Sequence, residues 1–431
     1  MKNDDLAQWE PCQSYCQMTG AAAALLSFKD ACAVVNGPRW CSVIAERELS
    51  QCHADYTPRL FCSQIEQCDL LFGTDTKIKS IIRDVNASMQ NVSLLGVITS
   101  CAISLIGDDL NGIVKSMHNK YPVLLLDSGG LKGEFFSGYQ ETMLAILQQE
   151  NLQVQPVDHL TVNLLGYCSC FPHSEGDLLE LKRLLTLAGY KIGVCLGADG
   201  LTRENLQAVP KAALNIVLAP ELAADIANYL QTVLHQPFIV LVPPCGCAQS
   251  LAWLEKIGQK LGVKPNLSLL LQETVTLEKS IAEQYLALKN EVKKLFYKRA
   301  LIVAPYSQAM AFKTALQKSI FAIPDICTSM QGPYGIVSTI PGPEVAAAER
   351  NTNLRDYEYQ ILLGTERDRS KVGNYLHTVY LNCLQPDSKI HVAAETFLGI
   401  QGWATLAQQI FFQTKLLHKI AIEMKGQKTY A

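Results

Sequence analysis

Several features of membrane, secreted and nucleic-acid-binding proteins are absent from this sequence. No apolar run approaches the ~20 residues that a helix needs to cross a bilayer. The N-terminal stretch MKNDDLAQWE has no basic segment followed by an apolar one, so we expect no secretory signal and a cytoplasmic location. Charged residues make up 18% of the chain, the formal net charge is -3, and no basic stripe is present. We therefore expect neither a membrane nor a nucleic acid as partner.

Motifs of nucleotide and zinc chemistry are missing as well. The chain has no G-x-x-x-x-G-K loop followed by Ser or Thr, so we expect that it does not hydrolyse ATP itself. It has none of the tight C-x-x-C pairs of a zinc ribbon. Its eight histidines show no ligand spacing to one another. Asp108 and Asp109 are expected to mark a helix start rather than an acid–base pair.

Cysteine, in contrast, is abundant, with 15 residues in the chain. Structural disulfides are not expected in a reducing compartment, which favours metal ligation or catalysis for some of these thiols. Most must still be buried packing residues, because free Cys behaves as a small hydrophobic side chain. The question is which few have another role.

Alternating strand and helix patterns divide the 431 residues into three units. Short apolar runs such as Val92–Ile98, Leu160–Gly166 and Ala300–Ala304 are typical of buried parallel strands, and helical patterns follow them. A chain of this length is too long for one ordinary core. We predict an α/β fold of three doubly wound parallel-sheet domains: an N-terminal domain over 1–155, a middle domain over 156–292 and a C-terminal domain over 293–431.

Four further local predictions concern single segments of these units. Leu70–Gly73 is typical of a strand end. Gly37 and Pro38 indicate a loop, which would carry Cys41. Ile390–Ala393 is a candidate strand, and the charged helical pattern of Val275–Lys298 indicates an interdomain helix.

Three cysteines stand where parallel sheets keep their ligand sites. Cys101 follows the strand Val92–Ile98, and Cys41 follows a strand at Cys32–Val35. Cys16 precedes a helical run. Parallel strands end at one edge of a sheet, so the three thiols could converge there. They are one short of the four thiolates that a 4Fe–4S cluster takes, and a second chain is the economical source of the fourth. Spacing alone leaves metal ligation and plain packing both open.

The motifs around these cysteines resemble those of nitrogenase component 1 proteins. That superfamily includes nitrogenase subunits, cofactor-assembly scaffolds, dark-operative tetrapyrrole reductases and methylthio-alkane reductase. The resemblance rests on Cys16–Ala21, Asn36–Cys41, and Thr99–Cys101 with Ile106–Asp109; it continues through Asp69–Gly73, Gly133–Tyr139, Val162–Gly166, Glu180–Gly189 and Gly399–Gly402. It covers nearly the whole chain and implies three parallel-sheet domains.

The resemblance also implies a function in reductive chemistry. Cys16, Cys41 and Cys101 fall on the family's three interface-cluster cysteines, which bind a P-cluster or a simpler 4Fe–4S iron–sulfur cluster between two homologous subunits. The implied partners are a homologous component 1 subunit, with the pair doubled to a heterotetramer, and a separate ATP-hydrolysing iron protein as electron donor. The chain would then be an oxidoreductase subunit that relays electrons. The resemblance assigns no catalytic residue.

Two departures from the family pattern bear on the type of subunit. The catalytic nitrogenase subunit places a cofactor-binding histidine just before the segment matched by Gly399–Gly402, where this chain has Leu398. Asn36 replaces a typical histidine in the second-cysteine turn. These departures favour a β-type subunit, with any larger iron–sulfur cofactor in the partner chain, or a member with a different cofactor.

Several other thiols have an open assignment. Cys245 and Cys247, after the strand Phe238–Val242, lie close to the position of the family's cofactor cysteine and are candidate cofactor ligands. The alternative is a pair of buried small residues in a tight turn, and Cys168 and Cys170 share this ambiguity. Cys62 stands apart, since its family position is usually a small polar residue near the cluster.

Three functions therefore remain as hypotheses. The first is a subunit of a nitrogenase-like two-component reductase, of nitrogenase or methylthio-alkane reductase type. The second is a non-catalytic scaffold on which a complex iron–sulfur cofactor is assembled, or a subunit of tetrapyrrole-reductase type. The third is a metal-free α/β binding protein whose cysteines only pack.

Overall fold

Three parallel sheets and the helices between them account for most of the chain. The computed structural model describes residues 16–49, 57–89, 91–117, 119–171, 173–198, 200–292, 297–329, 331–332, 335–336, 359–365, 368–369, 378–382 and 395–427. The candidate strand Ile390–Ala393 lies outside these residues, as do Cys12, Cys52 and Cys383.

The first sheet is built by the N-terminal part of the chain. Its elements are α1 (Gln17–Leu26), β1 (Ala31–Asn36), α2 (Arg39–Leu49), a 3-10 turn (Thr57–Arg59), β2 (Leu60–Cys62), α3 (Gln67–Phe72), α4 (Asp75–Ser88), β3 (Leu94–Thr99), α5 (Cys101–Ile106), α6 (Leu110–Lys115), β4 (Val123–Leu126) and α7 (Phe135–Gln149). The four strands pair in parallel in the order β2-β1-β3-β4. Every residue of β1 and β3 is buried, as expected for central strands covered by helices on both faces.

The prediction of a strand end at Leu70–Gly73 is wrong. This segment closes the short helix α3, which begins at a capping box between Glu66 and Asp69 and ends at Gly73, where φ is 85°. Leu71 and Phe72 are 79% and 87% exposed, so the apolar run faces outward. The apolar residues of this segment therefore form an exposed apolar surface and not the end of a buried strand.

The prediction of a loop around Cys41 is also wrong in part. Gly37 and Pro38 do form a turn, but α2 begins at Arg39, so Cys41 lies in the first turn of a helix. Proline fixes its own φ near the helical value and lacks the N–H that a helix start leaves unpaired, which suits it to this position.

The second sheet repeats the arrangement of the first. Its elements are β5 (Asp158–Leu165), α8 (Ser174–Leu187), β6 (Lys191–Cys195), a 3-10 segment (Glu204–Lys211), β7 (Ala212–Val217), α9 (Pro220–Leu234), β8 (Phe238–Val240), α10 (Cys247–Leu261) and α11 (Ser268–Val292). The strand order is β6-β5-β7-β8, again parallel.

The third sheet follows in the C-terminal part. The elements there are β9 (Arg299–Val303), α12 (Tyr306–Gln317), β10 (Asp325–Ser329), β11 (Gln331–Gly332), β12 (Gly335–Ile336), β13 (Ile361–Leu363), β14 (Val379–Leu381) and α13 (Gly399–Gln427). The order is β10-β9-β13-β14, and β11 pairs with β12 in a small antiparallel ribbon. The predicted α/β fold of three doubly wound parallel sheets is confirmed.

All three sheets share one topology, in which the first strand pairs with the second on one side and the third on the other. After two neighbouring central strands, the connections therefore run to opposite sides of the sheet. This divergence opens a crevice at the carboxyl ends of those two strands. In the first sheet this switch point lies between β1 and β3. That is the edge from which Cys41 and Cys101 follow.

The three sheets are packed together through shared helices. One apolar core includes side chains of α1 and α7 together with β7 and α9, and a second joins α8 and α10 to β9 and α13. The helix predicted at Val275–Lys298 is α11, which begins earlier, at Ser268. It buries a narrow stripe, Leu270, Ile281 and Leu288, and packs on α13. The domain boundaries at 155/156 and 292/293 stay predictions.

Within the part of the chain that the structure describes, no helix has the length and apolar character needed to span a bilayer.

Candidate metal centre

The three cysteines predicted to form a site lie at the amino ends of three helices. Cys16 directly precedes α1, Cys41 lies in the first turn of α2, and Cys101 is the first residue of α5. All three are half-buried. The unpaired backbone N–H groups at a helix start carry partial positive charge, which favours a thiolate there.

Glycines from the loop after β4 form one wall of this site. A Cβ placed on Gly130 would lie 2.9 Å from Cys16 Cβ, 3.7 Å from Cys16 Sγ and 3.6 Å from Cys101 Sγ. A Cβ on Gly129 would lie 3.1 Å from the Cys101 Cα and N atoms. The sulfurs of Cys16 and Cys101 therefore lie near the same glycine, and the loop approaches so closely that a side chain at Gly130 would press against Cys16.

The Cys41 thiol interacts electrostatically with the thiols of Cys16 and Cys101. Burial raises the pKa of Cys41 to about 11, and the charges of Cys16, Cys101 and Cys62 as thiolates act in the same direction. Four thiols therefore influence one another. Deprotonating them together requires a compensating cation, because each added negative charge makes the next more costly.

Cys62 joins this group from the end of β2. Its thiol donates to the Gly37 carbonyl at 3.5 Å and lies 3.9 Å from the Pro38 carbonyl. It therefore contacts the turn that leads into Cys41. The sequence signal for this residue was the family position alone, since spacing does not reveal that β2 pairs beside β1.

Among the described residues no three His, Cys, Asp or Glu side chains are close enough to hold a single metal ion. A single ion with metal–sulfur bonds of about 2.3 Å needs its sulfurs within about 4 Å of one another. A cluster of several irons is larger and spaces its thiolates further apart. Thiolates such as those of Cys16, Cys41 and Cys101 are the donor type that iron–sulfur clusters take.

Cys245 and Cys247 lie in a different environment. Both are buried, and the loop that carries them is bonded directly to the segment around Leu398. The Gly246 N–H donates to the Gly399 carbonyl at 3.1 Å, and the Gly399 N–H donates to the Pro244 carbonyl at 2.7 Å. The two positions that would have to hold opposite ends of a large cofactor are thus joined backbone to backbone.

Cys247 begins a helix, as Cys101 does, but it differs from the three cysteines of the first sheet in having a carboxylate beside it. Burial raises its pKa, and the nearby Glu278 carboxylate raises it further through its charge and a hydrogen bond. Metal ligation requires the thiolate, so a carboxylate neighbour opposes it.

Sequence reasoning missed the residues that hold the segment before α13. Asp177 Oδ1 accepts hydrogen bonds from Thr396 Oγ1 at 2.6 Å, the Phe397 N–H at 2.9 Å and the Leu398 N–H at 3.3 Å. One turn further along α8, Glu180 Oε1 accepts from the N–H groups of Ile400 and Gln401. The only sequence signal for this attachment was the spacing of the two acidic residues, which lie three positions apart on a helix whose inner face is apolar.

Asp177 gives this attachment a predictable pH dependence. Burial raises the pKa of Asp177 to about 7, above its unfolded value of 3.8. The folded state then binds the proton more tightly, so the contribution to stability is complete below about pH 4 and is lost as pH rises through 7. We expect wild-type protein to lose up to about 4 kcal/mol of unfolding free energy from this group between those limits, and Asp177→Asn to lose none of it. Urea unfolding at pH 4 and pH 8 measures the difference.

The matched control for that experiment is Glu175→Gln, an exposed change on the same helix. It should keep the wild-type pH dependence. Equal pH dependence in wild type and Asp177→Asn would contradict the assignment.

Comparison with known proteins agrees with this architecture. The profile of the family described as nitrogenase component 1 type oxidoreductase matches residues 16–411. The chain is 23% identical over 275 residues to the nitrogenase vanadium-iron protein beta chain of Trichormus variabilis, covering 58% of each. It is 26% identical over 213 residues to a subunit of the light-independent protochlorophyllide reductase of Roseobacter denitrificans, covering 49% of this chain and 41% of that one. The chain thus spans about half the length of the curated relatives it matches.

Solved structures extend the likeness over the whole fold. Nitrogenase Cp1 at pH 6.5 superposes with a TM-score of 0.71 at 16% identity, covering 96% of this chain and 93% of that one. Nitrogenase Cp1 at pH 5 gives a TM-score of 0.69 at 18% identity, covering 92% and 87%. Because the family profile covers most of the sequence, the chain belongs to the nitrogenase component 1 type oxidoreductase family.

Proposed function

We propose that this chain is a β-type subunit of a nitrogenase-like two-component reductase. In this proposal Cys16, Cys41 and Cys101 hold an iron–sulfur cluster, of P-cluster or 4Fe–4S type, at the contact with a homologous subunit. The observation that carries it is the convergence of three thiols and three helix starts at the edge of the first sheet. When bound, such a cluster accepts and passes on electrons at a potential tuned by its surroundings.

The residues around the thiols support this role by their chemistry and their close packing. Gly129 and Gly130 let the loop after β4 lie directly against Cys16 and Cys101, since a Cβ on either glycine would lie about 3 Å from atoms of those two cysteines. The role of the chain's own residues is to supply three sulfur ligands, to direct helix N–H groups at them, and to shield them on the sheet side. The remaining ligands would come from the partner.

The surface next to the site supports a partner there. Five large apolar side chains near the site are exposed. They are Trp40, next to Cys41; Leu71 and Phe72 of α3; Leu105 of α5; and Leu131, which follows Gly130. Exposed apolar groups gathered around one site mark an interaction surface. The names of the relatives, one a beta chain and the other a reductase subunit, designate parts of multi-chain proteins.

Anaerobic purification of the native complex tests this proposal. We expect iron and acid-labile sulfide, and a co-purifying homologous chain in a heterotetramer, because three thiolates leave a cluster incomplete. The interface should exceed about 2,000 Å², as in obligate complexes. A stable monomer that holds a full cluster would contradict the shared site, and a metal-free complex would favour a plain binding protein.

The two groups of relatives supply two candidate reactions. A nitrogenase-type complex reduces a small molecule, whereas relatives named protochlorophyllide reductase act on a tetrapyrrole. In either case we propose an ATP-hydrolysing iron protein as electron donor. Turnover of each substrate, and of a methylthio-alkane, with that donor, ATP and reductant separates the reductase types, and a complex that binds iron but turns over none of the three would favour a scaffold.

A further prediction concerns Cys245 and Cys247. Because their loop is bonded to Gly399 and a carboxylate lies beside Cys247, we expect Cys245→Ala and Cys247→Ala to keep the cluster's spectrum and the turnover. Loss of stability should be modest, about 1 kcal/mol. Electron paramagnetic resonance and thermal melts measure both. Loss of a second, spectroscopically distinct cluster in either variant would make this chain the cofactor-bearing one.

A further inference from the structure

A chain of buried hydrogen bonds connects the turn before Cys41 with the turn after the Cys101 helix. Its centre is Asn36, the last residue of β1, which is fully buried. We define the Asn36 network as the backbone amide of Gly37 and the side chains of Ser63, Asn36, Thr74 and Asp108.

Each hydrogen in this network points the same way. The Gly37 N–H donates to Ser63 Oγ at 2.9 Å, and Ser63 Oγ donates to Asn36 Oδ1 at 2.9 Å. Asn36 Nδ2 donates to Thr74 Oγ1 at 3.0 Å, and Thr74 Oγ1 donates to Asp108 Oδ2 at 2.5 Å. The run ends on a carboxylate, so the successive bonds polarise and strengthen one another.

The network lies between the two cysteine-bearing segments. Gly37 belongs to the turn that starts α2, in whose first turn Cys41 lies, and Asp108 follows the helix that Cys101 begins. The same two segments touch directly. The Ser100 N–H donates to the Asn36 carbonyl at 2.9 Å, and a Cβ on Gly37 would lie 2.5 Å from Ser100 Cβ.

Other roles account for only part of the arrangement. Asp108 Oδ2 also accepts from the Thr74 N–H at 2.8 Å, which holds the start of α4. Thr74 is the residue before α4, yet its side chain makes no capping bond to that helix. Its hydroxyl is used between Asn36 and Asp108 instead. Asp109, not Asp108, caps the next helix, accepting from the Gly112 N–H at 2.9 Å. Both polar side chains are therefore committed to the network.

We infer that Asn36 and Thr74 are positioning residues that set the separation of Cys41 and Cys101. The inference rests on the proposed function, because that separation matters only if both thiols bind one group. Asn36 is suited to the task because its amide accepts on one side and donates on the other, and it carries no charge at any ordinary pH. A change in the network would move one cysteine relative to the other without removing a ligand.

Thr74→Val tests this inference, since valine keeps the shape of threonine but has no hydroxyl. Thr74→Ser is the matched control, because it keeps Oγ. In the iron-loaded complex we expect Thr74→Val to shift the cluster's midpoint potential and its electron paramagnetic resonance g-values, and Thr74→Ser to restore both. A purely structural role for Thr74 would lower the melting temperature and leave the potential unchanged.

A second measurement does not depend on iron. In full-length protein freed of metal, dibromobimane bridges neighbouring thiols, and peptide mapping quantifies the Cys41–Cys101 product. We expect its yield to fall below half of the wild-type value in Thr74→Val and to return in Thr74→Ser. Asp108→Ala, at the half-exposed end of the network, serves the same purpose if Thr74→Val fails to fold.

The outcomes separate the two claims. A wild-type cross-linking yield in the folded variants overturns the positioning role, whatever the iron content. A wild-type potential in iron-loaded Thr74→Val overturns it as well. Wild-type protein that binds no iron overturns the proposed function, while the cross-linking result still decides whether the network positions the two thiols.

Discussion

Replacing Cys101 with alanine is expected to remove most of the iron from the complex and most of its visible charge-transfer absorption. Cys101 stands at the switch point of the first sheet, with its sulfur 3.6 Å from the position that a Gly130 Cβ would take. Under the proposed function, a cluster shared between two chains would lose one of the three ligands that this chain offers. Cys41→Ser should have the same effect, since the hydroxyl of serine is a poorer ligand for iron than a thiolate.

The control for this experiment is Cys195→Ala. Cys195 is a buried thiol that ends β6 in the middle sheet, so it occupies a comparable place without any of the other three cysteines nearby. Its loss should leave iron and absorption at wild-type values. In metal-free protein, Cys101→Ala should melt close to wild type, because a half-buried thiol contributes little packing. Wild-type iron in Cys101→Ala would show that the three-cysteine assignment is wrong.

The positions of these cysteines were accessible from sequence because two short-range signals coincide there. Buried parallel strands are recognisable as apolar runs, and their carboxyl ends share one edge. The runs that contain β1 and β3 were therefore enough to place Cys41 and Cys101 on the same edge. Cys16, which precedes a helical run, was grouped with them as a third thiol that could converge there, and the family resemblance then implied the same three residues.

What sequence reasoning missed depends on contacts between distant segments. The attachment of the Thr396–Gln401 segment to Asp177 and Glu180 joins residues about 220 positions apart. No local pattern encodes such a pair. The error at Leu70–Gly73 has a different cause: a short apolar run on an exposed helix has the same local pattern as the end of a buried strand. The place of Cys62 depends on the pairing of β2 with β1, which spacing does not reveal.

Gly138→Ala is expected to disrupt the packing of helix α1 on helix α7 and so to displace Cys16, which directly precedes α1. The helices α1 and α7 touch backbone to backbone: a Cβ on Gly138 would lie 1.9 Å from the Gln17 carbonyl oxygen, and one on Gly20 would lie 1.9 Å from that of Phe135. Alanine favours a helix over glycine by about 1 kcal/mol, so the change should help α7 by itself. The clash with backbone atoms outweighs this, and we expect a net loss of about 3 kcal/mol or more.

The same clash should also reduce metal binding at the candidate centre. Cys16 pairs with Glu134 in a backbone bridge, and the Gln17 N–H donates to the Gly133 carbonyl at 3.1 Å. Separating α1 from α7 therefore displaces Cys16 from Cys101, and we expect the iron content to fall. Gly262→Ala is the control, because an added methyl there meets no atom within 4 Å and only the left-handed backbone, at a φ of 71°, opposes it. That change should cost about 1 kcal/mol and leave iron unchanged.

Metal-free protein distinguishes the two ways of losing iron. Cys101→Ala removes a proposed ligand and leaves the packing intact, so its metal-free form should melt like metal-free wild type. Gly138→Ala breaks the packing that places a ligand, so its metal-free form should melt well below wild type and expose α1 to proteolysis. If Gly138→Ala instead melts like wild type with or without iron, the close approach of α1 and α7 does not determine where Cys16 lies.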